Sequence, residues 1–301
     1  MLPWVALVLA AGACAAPPGA APAAPPERTR SGEPVPPLAR PAALPGRAVQ
    51  EEDDAQAARA RRATVQQQAL ATAQRWGLAA LPLAAPPPPA TKPELVAGYH
   101  VKTAAGLPPV VLRVPTDRPV VFLTIDDGAE KDPELVRMLA DLKVPVSVFL
   151  SDYLARSDYD YFRGLQALGI SINNHTINHP DLRRLDDEQQ RQEICGQQDR
   201  LERETGTRPT LFRPPFGEYT EASLRVAASC GITAAPLWNE EAFPDRIDYR
   251  YEDHQLHAGD IILTHFRGAA EWQGTMAQML RRVIDTATAQ GFALARLDDY
   301  L

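Results

Sequence analysis

The sequence predicts an α/β protein whose parallel strands close into a distorted (β/α) barrel. From residue 120 to the C-terminus, short apolar and β-branched runs alternate with amphipathic helical segments. This alternation is typical of parallel strands covered by helices. The number of strand–helix units within one stretch favours a closed barrel over an open sheet.

Local patterns place the individual elements. Strands are predicted over residues 120–125, 145–150, 170–172, 210–212, 232–238, 260–264 and 292–296. Asp132 followed by Pro133 predicts the start of one helix. Asp186 and Gln189 form a capping-box pattern that opens another, and Gly206 predicts its end. Further helices are predicted over residues 159–168, 220–230 and 275–290.

The distribution of the 29 prolines divides the chain into domains. Residues 15–50 are mostly Ala and Pro, and residues 86–89 are four consecutive prolines. Such segments bury too little apolar surface to offset the entropy of ordering them. We therefore predict a disordered linker over residues 15–93, with an isolated, weakly packed helix at 51–76. Residues 94–301 are predicted to form the globular domain.

The first residues resemble an export signal. Residues 2–13 are apolar and small, and this run is too short to span a membrane. The sequence Ala-Gly-Ala-Cys ending at Cys14 resembles the end of a bacterial lipoprotein signal, in which the cysteine is lipidated. We expect a lipoprotein anchored at the outer cell surface, with membrane contact only through that lipid. Because no Lys or Arg precedes the apolar run, plain secretion and a cytoplasmic protein are alternatives.

The charge pattern excludes one class of partner. The formal net charge is -7, and the chain has no block rich in Lys or Arg. Phosphate recognition requires a basic surface, so we predict no nucleic-acid binding. Sequence patterns leave the oligomeric state open.

Two cysteines, Cys195 and Cys230, lie in the predicted domain. In an exported protein a remaining pair of cysteines indicates one disulfide bond. The alternative is two unpaired thiols that pack as small buried apolar groups.

Four residues have the composition of a catalytic metal site. Asp126 and Asp127 directly follow the predicted strand 120–125, and His175 and His179 are four residues apart. One carboxylate with two imidazoles is a ligand set of catalytic zinc, and the second carboxylate is then available as a base. Alternatively, the acidic pair belongs to an ordinary turn and the histidines lie on the surface of a helical turn.

Other polar residues also follow predicted strands. Arg213 comes after strand 210–212, and His265 comes after strand 260–264. Barrel enzymes carry their chemistry at the C-terminal ends of the strands. Separately, Arg213 could belong to a rigid loop and His265 could be a strand-end residue without function. Together with the acids and histidines above, they indicate one shared site at the rim.

Four motifs follow one another along the chain: Thr-Ile-Asp-Asp-Gly at 124–128, His-Thr-Ile-Asn-His at 175–179, Arg-Pro-Pro-Phe-Gly at 213–217 and Ile-Leu-Thr-His at 262–265. In this order they resemble the polysaccharide deacetylase family, also called the NodB-homology family or carbohydrate esterase family four. The resemblance covers residues 96–301. It implies a barrel of the NodB-homology type and a polysaccharide deacetylase catalytic domain over residues 94–301.

The resemblance also implies a metal centre. Asp127, His175 and His179 would bind Zn²⁺, or another divalent ion such as Co²⁺ or Ni²⁺. Such an ion acidifies a bound water and polarises the acetamide oxygen. Asp126 would remove the proton from that water. Arg213 would hold Asp126 in place and keep it ionised, since an adjacent cation depresses a carboxylate pKa.

Two further roles are implied by the resemblance. The backbone N–H of Phe216 would help to bind the oxyanion. His265 would act as the general acid that protonates the leaving nitrogen. The family's Asp-Trp pair, which tunes this histidine, is absent from residues 238–245. Glu240, Glu241 and Asp245 are the alternative substitutes.

We therefore expect a metal-dependent hydrolase that removes N-acetyl groups from an amino-sugar polymer of the cell envelope, such as peptidoglycan. An O-acetyl esterase acting on a polysaccharide such as xylan is one alternative. A catalytically decayed surface glycan-binding protein is another, although a binder would not need the second carboxylate, Asp126. Two histidines, His254 and His257, suggest either a second metal site or solvated surface residues. Trp238 either packs the barrel or stacks on a sugar.

Overall fold

The computed structural model describes residues 45–301, with side chains from residue 50 onward. The signal-like segment 1–14 with Cys14, and residues 15–44 of the predicted linker, lie outside the described residues. Ala55–Leu301 forms a compact unit of its own. Within residues 45–301, none of the helices combines the length and the apolar character required to cross a bilayer.

Helices and strands alternate along the described part of the chain. The helices are α1 (Pro45–Arg75), α2 (Pro133–Leu142), α3 (Asp152–Ala155), α4 (Tyr159–Ala167), α5 (Asp187–Thr205), α6 (Glu221–Ser229) and α7 (Met276–Ala289). The strands are β1 (Val101–Lys102), β2 (Val110–Val111), β3 (Val120–Asp127), β4 (Ser147–Leu150), β5 (Ser171–Asn174), β6 (Ala235–Pro236), β7 (Glu240–Ala242), β8 (Ile247–Tyr249), β9 (Ile261–His265) and β10 (Ala293–Leu294).

The helix boundaries predicted from capping residues are confirmed. The Asp132 side chain accepts a hydrogen bond from the Glu134 backbone at the start of α2. Asp186 and Gln189 form the complete capping box at the start of α5. Gly206 ends α5 in the left-handed conformation, with φ of 71°. These boundaries are local because each cap bonds to backbone groups within the same turn.

The helix predicted at 51–76 begins earlier, at Pro45, and is exposed over residues 50–71. Its last turn differs from the prediction of weak packing, because Ala73 is buried in the main core and Trp76 packs against that core. The Trp76 indole also donates to Asp141 Oδ2 at 2.9 Å. Residues 79–93 lack helix and strand, but the Lys92 amine donates to the Leu301 carbonyl.

The main sheet is parallel at its centre. Its strand order is β5-β4-β3-β9-β7-β8, and β10 also pairs with β3. Strands β4, β9 and β10 all run parallel to β3, whereas β8 is antiparallel to β7. All eight residues of β3 are buried, which is why this strand reads as a continuous apolar run before its terminal acids.

Single bridges close the sheet into a distorted barrel. A second sheet has the order β1-β2-β6. Phe212 bridges to Asn174 of β5, Leu211 bridges to Ala234 beside β6, and Arg113 bridges to Asp260 beside β9. These three contacts complete a ring around both sheets and confirm the barrel. The strand predicted at 210–212 is reduced to isolated bridges, and β1, β2, β7 and β8 are additional to the predicted set.

A disulfide bond joins Cys195 in α5 to Cys230 at the end of α6. On the chain-entropy model, a closed loop of this length contributes about 4 kcal/mol to stability. The bond lies beside a small buried cluster that includes Ile194, Phe212 and Val226. It therefore holds α5 and α6 together beside this cluster.

Candidate active site

The rim residues predicted from separate strands lie together. Asp126 and Asp127 end β3, and His265 ends β9, directly beside Asp126 in the strand register. His175 follows β5, and its backbone N–H donates to the Leu150 carbonyl at the end of β4. The parallel arrangement brings these side chains to one edge because all of these strands end there.

Asp127, His175 and His179 form a set of three converging donors. The Asp127 Oδ1 atom lies 3.7 Å from His175 Nε2 and 3.6 Å from His179 Nε2. One donor atom from each residue lies within 4.8 Å of the others. Asp127 Oδ1 is buried, and among the described residues it has no hydrogen-bond partner. A buried acceptor without a donor fits a divalent cation between these three side chains.

The two imidazoles are in the state that a metal ligand requires. His175 Nδ1 lies 2.6 Å from the Arg213 carbonyl, so the proton is placed on Nδ1 and the Nε2 lone pair is left free. Burial lowers the pKa of His175 to about 4. Burial and the neighbouring His175 also lower the pKa of His179. Both rings are therefore neutral at pH 7 and able to bind a cation.

The two histidines lie in a loop, so the alternative of a helical surface turn is wrong. Asn174 Oδ1 accepts from the Thr176 backbone N–H at 2.9 Å, and Thr176 Oγ1 accepts from the His179 backbone N–H at 3.0 Å. Thr176 and His179 both have positive φ angles, of 69° and 55°. Asp127 and Phe216 share this conformation, with φ of 79° and 61°. Strained backbone at four site residues is typical of a functional constellation.

Asp126 is held by a fully buried arginine. Arg213 Nη1 donates to Asp126 Oδ1 at 2.7 Å and to Thr124 Oγ1 at 2.9 Å. Its Nε donates to the Pro236 carbonyl at 2.9 Å, and its guanidinium stacks over Phe149 at 4.3 Å from the ring centroid. The guanidinium is fixed in one orientation by hydrogen bonds to two chain segments and by stacking on Phe149, and it fixes Asp126 in turn.

The pKa of Asp126 shifts in the opposite direction from the sequence-based expectation. Burial raises the pKa of Asp126 to about 6, even though the Arg213 guanidinium opposes this shift. The expected depression by Arg213 is therefore outweighed, since the carboxylate is almost completely removed from water. A carboxylate with this pKa is ionised at pH 7 and is a stronger base than an exposed aspartate.

Glu241 is the acid that faces His265. His265 Nδ1 lies 3.4 Å from Glu241 Oε1. The other two alternatives lie elsewhere, because Glu240 points to the opposite face of β7 and Asp245 pairs with Arg246. Burial lowers the pKa of His265, although the carboxylates of Asp126 and Asp127 oppose that shift.

Phe216 lies over the three converging donors, beside His179. Its ring centroid is 4.6 Å from that of His179, at an interplanar angle of 74°. Its side chain is 63% exposed. A large exposed aromatic ring beside three converging donors provides a surface on which a substrate can rest.

Comparison with known proteins agrees with this geometry. The family model for polysaccharide deacetylase matches residues 113–235. A chitooligosaccharide deacetylase from Sinorhizobium fredii is 33% identical over 174 residues, which are 52% of this chain and 75% of that protein. An uncharacterised protein of Streptomyces coelicolor is 44% identical over 199 residues, 65% of this chain and 78% of the relative. The chain belongs to the polysaccharide deacetylase family.

Solved structures show that this polysaccharide deacetylase has the family fold. A family 4 carbohydrate esterase from Bacillus anthracis aligns with a TM-score of 0.53 at 25% identity, covering 64% of this chain and 86% of that one. A pseudoenzyme of the same family from Bacillus anthracis aligns with a TM-score of 0.55 at 19% identity, covering 64% and 68%. The fold is thus shared by active and inactive proteins, and the site residues decide activity.

Sequence reasoning missed one residue of this candidate site, Arg267. Its Nη2 donates to Asp127 Oδ2 at 2.6 Å. Arg267 follows His265 by two residues, just beyond the end of β9. The position of Arg267 close to a strand-end histidine could have marked it as a candidate site residue. Only the folded structure shows that its side chain reaches Asp127.

A groove of about 480 Å³ adjoins the three converging donors through Phe216. Its lining includes Lys102, Phe216, Glu218, Tyr219, Trp238 and Arg250. Trp238 packs against Gly217, where an added Cβ would approach the indole to 3.1 Å. The indole also lies over Arg213, at 5.7 Å, so Trp238 both packs the barrel and forms part of the groove.

The groove has a positive character. Its single acidic lining residue, Glu218, is already paired with Arg183 at 2.9 Å. Within residues 50–301, no ion pair engages Lys102 or Arg250. In a chain of net charge -7, two unpaired cations in one groove favour an anionic ligand.

The second metal site considered for His254 and His257 is not formed among the described residues. The donor set at Asp127 is the one cluster of three metal-binding side chains in residues 50–301. His257 instead pairs with Asp253 at 3.1 Å and lies 3.4 Å from Asp260. His254 contacts the edge of the Tyr249 ring.

A buried carboxyl pair lies on the other face of β7. Both side-chain oxygens of Glu240 are buried without a hydrogen-bond donor among residues 50–301. The neighbouring Asp260 accepts from Arg113 Nε and from the His257 backbone, each at 2.6 Å. Burial and the Asp260 carboxylate raise the pKa of Glu240 to about 10. A proton on Glu240 lets this side chain donate to the Asp260 carboxylate instead of facing it as a second acceptor.

This proton makes stability depend on pH. Folding raises the pKa of Glu240, so the folded state retains a proton that the unfolded chain releases above its ordinary pKa of 4.5. Stability should therefore fall as the pH rises from about 5 towards 10, by up to about 1.4 kcal/mol per pH unit. In Glu240→Gln the amide supplies a permanent donor, and we expect this slope to disappear. Urea unfolding at pH 6 and pH 9 measures it.

The matched control is Glu252→Gln, which changes an exposed glutamate on the segment that follows β8. Its stability should follow the wild-type pH dependence. An unchanged slope in Glu240→Gln would show that Glu240 does not hold the proton.

Proposed function

We propose that this polysaccharide deacetylase is a metal-dependent N-deacetylase acting on an amino-sugar polymer of the cell envelope, with peptidoglycan as the substrate. The proposal includes export and attachment through Cys14. It is carried by one observation. Asp127 Oδ1 is buried without a donor and faces two neutral imidazoles, while Asp126 lies beside them, bonded to Arg213.

Zn²⁺ is the cation that this donor set fits best, and Co²⁺ or Ni²⁺ would suit the same ligands. When bound, the ion would polarise an acetyl carbonyl and acidify a water molecule. Asp126 accepts the proton of the attacking water. Its Oδ2 atom lies 3.6 Å from His175 Nε2, so the base is adjacent to the position of the ion. Arg213 prevents Asp126 from turning away because it occupies Oδ1.

His265 supplies a proton to the leaving nitrogen. An amine leaves poorly unless it is protonated, so an amide substrate requires a general acid. Glu241, 3.4 Å from Nδ1, orients the ring and favours its protonated form, which is the form that donates to the leaving nitrogen. We assign the backbone N–H of Phe216 to the oxyanion, in line with its position over His179.

The pairing of Glu241 with His265 favours an amide substrate over an ester. An alcohol leaves more easily than an amine and needs less assistance from an acid, so an O-acetyl esterase would gain little from a tuned histidine. The buried base Asp126 argues against a decayed glycan-binding protein, since binding alone needs no such group.

The test is acetate release from matched N-acetylated and O-acetylated oligosaccharides. We expect release from the N-acetylated oligosaccharides, loss of activity after removal of metal with a chelator, and recovery when Zn²⁺ is restored. Release only from O-acetylated xylan fragments would support the esterase. Binding of glycan without acetate release by the metal-loaded protein would support the decayed protein.

The positive groove makes the choice of peptidoglycan testable. In glycan strands without peptide stems, muramic acid carries a free carboxylate next to each N-acetylglucosamine, whereas chitin is neutral. We expect the double variant Lys102→Ala/Arg250→Ala to raise KM about tenfold for glycan-strand fragments, which corresponds to the loss of one or two charge-assisted contacts. Its KM for neutral chitin oligomers should not change.

Two controls accompany this comparison. When the carboxylates of these glycan fragments are esterified, the wild-type protein should no longer prefer them over neutral chitin oligomers. Arg208→Ala removes a cation that is paired with Asp199 and Glu202 on α5, and it should alter neither substrate. Equal effects of the double variant on acidic and neutral substrates would contradict the assignment to an acidic sugar.

A further inference from the structure

The two oxygens of the Asp127 carboxylate have different partners. Oδ1 faces His175 and His179 and has no hydrogen-bond donor among the described residues. Oδ2 accepts a hydrogen bond from Arg267 Nη2 at 2.6 Å. One oxygen is thus directed at the position of the cation, and the other is occupied by a side chain.

Arg267 is itself fixed in this orientation. Its Nε lies 2.9 Å from Glu271 Oε2, and its Nη1 donates to the Phe266 carbonyl at 3.4 Å. Three different nitrogens of the guanidinium therefore have three separate partners. A lysine amine, which is a single point of charge, cannot span them all. The Arg267 side chain is only a quarter exposed, so this arrangement lies at the wall of the site.

We propose that Arg267 is a positioning residue that restricts Asp127 to coordination through Oδ1 alone. The inference rests on the proposed metal site. A carboxylate that coordinates through both oxygens takes two places around a small cation, whereas one oxygen and two imidazoles leave a place for an exchangeable ligand. By holding Oδ2, Arg267 keeps that place open and keeps Oδ1 directed at the histidines.

Two opposite effects of Arg267 on metal affinity must be compared. The guanidinium repels a nearby cation, which would weaken binding. It also orients the ligand, and loss of such a supporting contact to a metal ligand typically reduces affinity 10- to 100-fold. Glu271 neutralises much of the Arg267 charge at 2.9 Å. We therefore expect the orienting effect to dominate.

The experiment measures the affinity of the full chain for Zn²⁺ by competition with a chromophoric chelator. We expect Arg267→Ala to weaken Zn²⁺ binding about tenfold or more. Arg267→Lys should retain part of the Zn²⁺ affinity, because lysine keeps the positive charge but lacks the guanidinium group that contacts three partners. Arg208→Ala, which removes another ion-paired arginine far along the chain, should bind Zn²⁺ as tightly as the wild type. Unchanged or tighter binding by Arg267→Ala would overturn the proposal.

The visible absorption of the Co²⁺-loaded protein tests the coordination mode directly. Absorption is intense for four-coordinate Co²⁺ and weakens as further ligands bind. We expect a weaker spectrum in Arg267→Ala, because Asp127 gains a second coordinating oxygen. An identical spectrum would overturn the proposal even if affinity falls, since a purely structural role would not change the ligand number.

Failure of this inference is distinguishable from failure of the proposed function. Neither readout involves acetate release. If the wild type binds Zn²⁺ and the Arg267 variants behave as expected, but no acetate is released from any substrate, the role of Arg267 stands and the deacetylase function fails. If acetate is released and Arg267→Ala binds Zn²⁺ normally, the function stands and the inference fails.

Discussion

Replacement of Asp126 by Asn should reduce kcat by about 10³-fold or more, within the range assigned to a positioned general base. Asparagine has nearly the same shape and retains an oxygen that can accept from Arg213, but it cannot accept the proton of the attacking water. The three donors at Asp127, His175 and His179 are unchanged, so Zn²⁺ should still bind. Single-turnover acetate release with saturating Zn²⁺ measures the effect.

The wild-type pH profile provides a second measurement of the same role. Burial raises the pKa of Asp126 to about 6, and a bound cation nearby would lower it. Activity should therefore rise with pH through a value at or below 6 as this carboxylate becomes ionised. The residual activity of Asp126→Asn should lack that rise.

Asp245→Asn is the control for this variant, because Asp245 is an exposed acid that pairs with Arg246 outside the site. Its activity should equal that of the wild type. Retention of more than a tenth of wild-type kcat in Asp126→Asn would eliminate Asp126 as the base.

Replacement of Arg213 by Met should destabilise the fold by about 3–5 kcal/mol, the usual consequence of removing one partner of a buried ion pair. Arg213 is completely buried and bonds to Asp126, Thr124 and Pro236, so its loss leaves an uncompensated carboxylate in the barrel. The loss should be smaller at pH 5, where Asp126 is protonated. Urea unfolding at pH 5 and pH 8 measures both values.

A double-mutant cycle separates the charge from the packing. In Asp126→Asn/Arg213→Met both charges are removed, and we expect the double variant to be more stable than Arg213→Met alone. Arg208→Met is the matched control, since its ion pairs are at the surface and contribute about 1 kcal/mol or less. Equal losses in Arg213→Met and Arg208→Met would contradict a buried, charged Asp126.

The likeness to a pseudoenzyme makes these measurements decisive for function. One solved relative is a mutant of a family 4 pseudoenzyme with restored enzymatic activity, which aligns with a TM-score of 0.55 at 19% identity. The barrel therefore tolerates both states. In this chain Asp127, His175 and His179 converge at the rim beside Asp126, and Glu241 lies beside His265.

Local interactions explain what could be predicted. The caps at Asp132, Asp186 and Gly206 bond within one helical turn, so their side chains alone define helix ends. The continuous apolar run 120–125 indicated a strand buried on both faces, and its terminal acids marked the rim. The convergence of Asp127 and His175 followed from one rule, that parallel strands end at a common edge.

Other features depended on contacts between residues distant in sequence. Glu240 and Glu241 are adjacent and identical, and only the pleat of β7 directs one towards Asp260 and the other towards His265. Arg267 reaches Asp127 across 140 residues of chain. The direction of the Asp126 pKa shift was set by burial, which no neighbouring residue in the sequence reveals.

The sequence by itself determined the alternation of the central strands and helices, the capped helix ends and the residue types at the candidate site, since these depend on local bonding and on residue type. The tertiary structure alone decided how the barrel closes, which carboxylate faces His265 and which arginine donates to Asp127. Those outcomes depend on distances, side-chain directions and exclusion of water, and these are defined only once the strands are packed together.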